Sequence, residues 1–199
     1  VLTFLNRLKI KKEIFSAVYS NIMDTFVTEA DFWDDDSMQR EFLPGIIDES
    51  KDKLVEFLGY IDTGIKDISY EKIDDKIRIY TTHTGKNGKD YTLGLYNESD
   101  GTLKSILLYI LARVAILNDK SLFIDELNDR LHPLLLKYII DLFYESDSMA
   151  QLIYTTHDTT LMDKKFFRRD QIWFVQKDEY GYSELVALSD YKVRSDASF

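Results

Sequence analysis

Leu122-Phe123-Ile124-Asp125-Glu126 is an apolar run that ends in two adjacent carboxylates. The run reads as a buried strand, and burying one unpaired carboxylate is costly, two more so. The strand end should therefore open onto a cation, a cleft or solvent. In α/β sheets the carboxyl ends of strands are where ligands bind. Phosphate chemistry fits: Asp125 would hold magnesium, directly or through water, and Glu126 would orient or deprotonate a water attacking a phosphate. The same dipeptide can also do no more than cap the next turn. Further on, Ile153-Tyr154-Thr155-Thr156-His157-Asp158 places a histidine at a second strand end, beside the first if the strands are neighbours. Ser99-Asp100-Gly101-Thr102 offers hydroxyls, a glycine and backbone N–H groups at a helix N-terminus, a ready anion site. Taken singly, this segment can be a helix cap and His157 a turn residue. A metal phosphohydrolase would use His83, His132, His157-Asp158 and Asp125. It fares badly, because His132 precedes a proline at a helix start and His157 follows a strand, whereas such sites draw ligands from facing helices.

Positioning these groups requires βα alternation from residue 99 onward. An amphipathic helix carries Leu103, Ile106, Leu107, Ile110, Leu111 and Val114 on one face. The strand SLFID follows, then an acidic turn, a helix opened by Pro133, the strand AQLIYTT, and two strands, QIWFVQK and SELVALS. Continuous apolar strands alternating with helices predict a mainly parallel sheet covered on both faces. Upstream, Ile65 to Tyr70, Lys76 to Thr82 and Tyr91 to Tyr96 read as antiparallel strands separated by the turns IDDK and GKNGK. The first sixty residues read as helix and polar connection, with helical spacing from Leu5 to Ile22 and again, after Pro44 and Gly45, from Leu54 to Ile61. WDDDS between them reads as a loop. The expected organisation is an acidic helical arm over residues 1–62 and an α/β lobe over 63–199.

Composition bounds the classes. With 45% hydrophobic and 30% charged residues the chain is globular, and no apolar run approaches the roughly 18 residues that span a bilayer. The first residues lack the small-residue cleavage site of a secretory signal, so the expected location is cytoplasmic, away from membranes. Zero cysteines exclude disulfides, thiolate metal sites and cysteine nucleophiles. A formal charge of −10 should repel a nucleic-acid backbone unless basic residues cluster locally, as at Arg7, Lys9, Lys11 and Lys12 or at Lys164, Lys165, Arg168 and Arg169. Between Asp24 and Glu56 eleven acidic residues face three basic ones. That stretch reads as a solvated face, the sharper alternative being a grip on an effector protein. KKFFRRDQ reads as scaffold, and His83 as a strand and core residue.

Together and in this order, SDGT, LFIDE, LNDRLHP and TTHD resemble the signature segment, Walker B strand with catalytic glutamate, D-loop and switch histidine of an ABC-type ATPase. The resemblance covers about residues 80 to 195 and implies the C-terminal lobe of a P-loop NTPase. More narrowly, FIDELNDRLHPLLLKYIIDLF, AQLIYTTHDTTLMD and RRDQIWFVQKDEYGYSELVALSDYK resemble the AAA-labelled ATPases of bacterial abortive-infection and antiphage systems. The resemblance implies ATP and Mg2+ as cofactors, Asp125 on magnesium, Glu126 on the attacking water and His157 on the γ-phosphate. Ser99, Gly101 and Thr102 would contact the γ-phosphate of a nucleotide on the opposite subunit, so that two heads dimerise on ATP. Asn128 and Asp129 would lie in the D-loop at that interface. Asn128 stands where many relatives carry aspartate, and Arg130 where they often carry serine.

No GxxxxGK[ST] phosphate loop occurs in these residues, and GKNGK at 85–89 has the wrong spacing. In the family that loop lies N-terminal to the motifs found here, so the expectation is one lobe of a longer protein, inactive by itself and active as an ATPase in the whole. The rival class is a non-enzymatic dimerisation or docking module for an effector nuclease or toxin, distinguished by whether a functional phosphate loop exists upstream.

Overall fold

The computed structural model describes residues 26–28, 37–61, 64–74, 76–127, 133–159, 162 and 166–191. WDDDS up to Asp36, Asn128, Asp129 and His132 lie outside the described residues. The chain divides into two compact units, Val1–Thr156 and His157–Phe199.

The first unit holds a parallel sheet and an antiparallel meander. The parallel sheet has the order β1-β5-β6, built from β1 (Phe26–Thr28), β5 (Ser121–Ile124) and β6 (Gln151–Tyr154). Its register pairs Thr28 with Phe123 and Ile124 with Tyr154, so β5 and β6 end side by side. The meander comprises β2 (Ile65–Ile73), β3 (Lys76–Thr84) and β4 (Asp90–Gly94). The IDDK turn joins β2 to β3 with Asp74 at φ 47°, and GKNGK joins β3 to β4 with Gly88 at φ 71°. The hairpin context expected for GKNGK is thus present. The Asn87 side chain accepts from the Lys89 N–H at 3.0 Å and closes the turn.

Among the described residues three helices pack in this unit: α1 (Ser37–Ile61), α2 (Asp100–Leu117) and α3 (Pro133–Tyr144). Leu54, Phe57 and Leu58 of α1 meet Ile106, Tyr109 and Ile110 of α2 and Leu136 and Ile139 of α3 in one core. Phe57 stacks on Tyr109 with centroids 4.7 Å apart and tilts against Tyr138 at 5.3 Å. Such aromatic pairs add about 0.5–1.5 kcal/mol beyond their area burial.

Four expectations change. Residues 26–28 form a strand where helix and connection were expected, because three residues are too few to display a strand period. The helix α1 runs through Pro44 rather than starting after it, and breaks instead at Ser50 (φ −150°, ψ 39°). Buried Leu43, Ile46 and Ile47 flank the proline and offset its lost N–H bond. The middle of α2 is buried all round from Ser105 to Ala112 rather than on one face, since α1, α3 and the parallel sheet all pack on it. The parallel sheet has three strands among the described residues and one closed face. Leu122 and Ile124 are buried, whereas the cross-strand partners Phe123 and Ile153 are 36% and 42% exposed.

The second unit contains the hairpin of β7 (Trp173–Lys177) and β8 (Ser183–Ala187), flanked by 3-10 turns at Arg169–Gln171 and Leu188–Asp190. Asp178 accepts from the N–H groups of Tyr180 and Tyr182 to form the hairpin turn. The scaffold reading of RRDQ fits the geometry: Arg169 donates to the carbonyls of Leu188 and Tyr191, and Arg168 pairs with Asp170. Among the described residues no helix is long and apolar enough to cross a membrane.

Candidate functional site

Asp125 and Glu126 directly follow β5, and both are exposed, as an apolar strand ending in two carboxylates requires. Their placement depends on the neighbouring strand. Thr155, the first residue after β6, donates its N–H to the Ile124 carbonyl at 3.0 Å and accepts the Leu127 N–H on its own carbonyl at 3.1 Å. Its hydroxyl accepts the Glu126 N–H at 2.9 Å and donates to Oδ1 of Asp125. One threonine therefore holds both acidic residues through its hydroxyl and their two neighbours, Ile124 and Leu127, through its backbone.

Glu126 has φ 51°, the left-handed region in which glycine or asparagine is at home. An ordinary residue costs roughly 1–2 kcal/mol there, so the two bonds from residues 126 and 127 to Thr155 over-determine the turn. A glutamate at a position the backbone would give to glycine points to a use for its carboxylate.

The donor set suits a hard cation. Asp125 presents an exposed carboxylate with one oxygen engaged by a hydroxyl, and Mg2+ favours such oxygen ligands and keeps several waters. Next to Thr155, Tyr154 is pushed up to about 12, mainly by burial and then by Tyr144, so its phenol stays protonated at neutral pH.

Ser99 caps α2. Its hydroxyl accepts the Thr102 N–H at 3.2 Å and lies 2.8 Å from the Thr102 hydroxyl, and the Leu103 N–H bonds the Ser99 carbonyl at 3.0 Å. The cap reading of SDGT therefore holds in the geometry. Gly101 is a different matter. Among the described residues a Cβ there would meet only the Ser99 hydroxyl, at 3.9 Å, so the packing of those residues does not require glycine.

His157 is exposed, three residues past the end of β6, and opens the second unit. Strands β5 and β6 are the neighbours that the sequence argument needed. His83 is buried on β3 and bonds Glu98, as its reading as a core residue implies. Among the described residues no three histidine or acidic groups gather as a metal cluster. Sequence reasoning missed the link from Thr155 to both acidic residues, since a hydroxyl in a TT pair carries no signature of its type. Its position next to the strand end was the only available signal.

A family model described as "AAA domain, putative AbiEii toxin, Type IV TA system" matches residues 4–163. The chain belongs to this family. It is a family of P-loop AAA-type ATPases, so the AAA domain brings nucleotide binding with it, and ATP with Mg2+ is what such domains generally take. No curated protein matches the chain.

Proposed function

We propose that this AAA domain binds and hydrolyses ATP with Mg2+ as part of an ABC-type head that dimerises on ATP and controls an effector in bacterial antiphage defence. Asp125 would hold the cation, which supplies charge neutralisation on the phosphates. Glu126 would orient and deprotonate the attacking water, and His157 would donate to the γ-phosphate. Ser99, Gly101 and Thr102 would meet the γ-phosphate of a nucleotide on the opposite head, with Asn128 and Asp129 at that interface. Residues 63–199 would form the C-terminal lobe and 1–62 an acidic helical arm that lends β1 to the lobe's sheet.

The observation that carries this reading is the exposed Asp125–Glu126 pair at the end of a parallel strand, with Glu126 held at φ 51° by Thr155, which directly follows the adjacent strand. An inert docking module has no need of a strained glutamate in that place. In the natural protein that carries this chain, Glu126→Gln should bind ATP as well as wild type and accumulate as an ATP-bound dimer in sedimentation velocity. A variant that turns over ATP like wild type would sink the assignment of Glu126, and the absence of turnover and of an ATP-bound dimer in both proteins would favour the docking module.

A further inference from the structure

Thr81 and His83 lie two residues apart on β3 and so point to the same, inward face; they are 0% and 7% exposed. Between them and the start of α2 lies the Glu98 side chain, 5% exposed, whose Oε1 is 2.8 Å from His83 Nε2 and also accepts the Thr81 hydroxyl. The His83 ring stacks on that of Tyr91, its cross-strand partner on β4, at 5.4 Å and 15°, which fixes the imidazole plane. A buried carboxylate with two such donors is satisfied, yet well-packed apolar residues of the same volume would serve stability as well or better. Its presence calls for a role other than stability.

Glu98 immediately precedes Ser99. Its N–H closes the 3-10 turn Leu95–Asn97 on the Leu95 carbonyl at 3.1 Å, and the next residue begins the Ser99–Thr102 cap. The carboxylate thus anchors the backbone at the point where the segment turns into α2. We infer that Glu98, held by His83 and Thr81, is a positioning residue that fixes Ser99–Thr102 for the opposite head's nucleotide, so that the meander sets the segment's placement. This rests on the proposed role of Ser99–Thr102.

The test uses ATP-driven dimerisation of the natural protein in the Glu126→Gln background, with Mg·ATP affinity of the single head and the thermal midpoint as controls. His83→Leu should weaken dimerisation about tenfold while Mg·ATP affinity of the head stays within about twofold, and His83→Gln, which keeps a donor near the Nε2 position, should restore most of it. Thr81→Val, isosteric and donor-free, should act in the same direction as His83→Leu, and decides the matter if the latter does not fold. Ser99→Ala is the reference. If it weakens dimerisation while folded His83→Leu or Thr81→Val leaves it within about twofold, the inference falls and the role of the segment stands. If Ser99→Ala itself has no effect, the role of the segment falls and takes the inference with it.

Discussion

Thr155 tests the site most simply, because its hydroxyl touches both acidic residues and can be removed without changing side-chain volume. Thr155→Val should cost about 1–3 kcal/mol of stability, as expected for two lost hydrogen bonds. If Asp125 holds Mg2+, it should also raise the Mg2+ concentration for half-maximal hydrolysis by roughly tenfold, with Thr155→Ser near wild type. Denaturation curves and a Mg2+ titration read the two effects separately, and an unchanged Mg2+ requirement would remove Thr155 from the site. Gly101 offers the opposite separation of stability from function. Because among the described residues a Cβ there meets only the Ser99 hydroxyl at 3.9 Å, Gly101→Ala should be neutral or stabilise the fold by up to about 1 kcal/mol. It should nevertheless impair ATP-driven dimerisation if another subunit's nucleotide approaches that backbone. Dimerisation equal to wild type would leave the glycine unexplained. At this scale the sequence displayed Asp125 and Glu126, since acids at the end of an apolar run conflict with burial. It hid Thr155, and it hid the pairing of His83 with Glu98, which are fifteen residues apart and meet only through the meander.

Elements announce themselves when their period is long enough to read. The strands β2 to β8 and the Pro133 start of α3 were legible from alternation, turn residues and the proline. The three residues of β1 were not, nor was the passage of α1 through Pro44, because only burial of the neighbouring Leu43, Ile46 and Ile47 outweighs a proline's local cost. The far end of the parallel sheet makes a prediction of its own. Asp119, at φ 53° after α2, accepts the Met149 N–H at 2.9 Å and the Ser148 hydroxyl at 2.8 Å, tying the approach to β5 to the approach to β6. Those two bonds hold its carboxyl below the ordinary carboxylate value. A pKa lower in the folded than in the unfolded state stabilises the fold above the unfolded value, and that contribution is lost as pH falls through the folded one. Asp119→Asn keeps a neutral acceptor that tolerates the same backbone. The stability gap between wild type and this variant in urea denaturation should stay constant from about pH 7 to 5 and close below about pH 4. A gap that persists unchanged to about pH 3 would contradict the assignment.

For the whole molecule, the family match over residues 4–163 and the strand-end carboxylates point the same way. The net charge of −10 sets a general repulsion toward a nucleic-acid backbone that only a local basic cluster would offset. Part of the acidic stretch is already engaged within the chain: Asp48 accepts from the Tyr70 phenol at 2.9 Å, which raises the phenol's pKa. Nearby, Lys51 pairs with Asp67 of β2 at 2.8 Å. These contacts help seat α1 on the meander, while Asp48, Glu49, Asp52 and Glu56 all stay exposed, as the solvated-face reading expects. The glutamate that the resemblance assigns to the attacking water sits in a strained turn, at φ 51°. The most direct measurement is phosphate release from Mg·ATP by the natural protein and its Glu126→Gln variant, side by side with ATP binding. Wild type should release phosphate steadily, the variant at least about a hundredfold more slowly, and both should bind ATP equally. Equal release from the two proteins would contradict the assignment of Glu126.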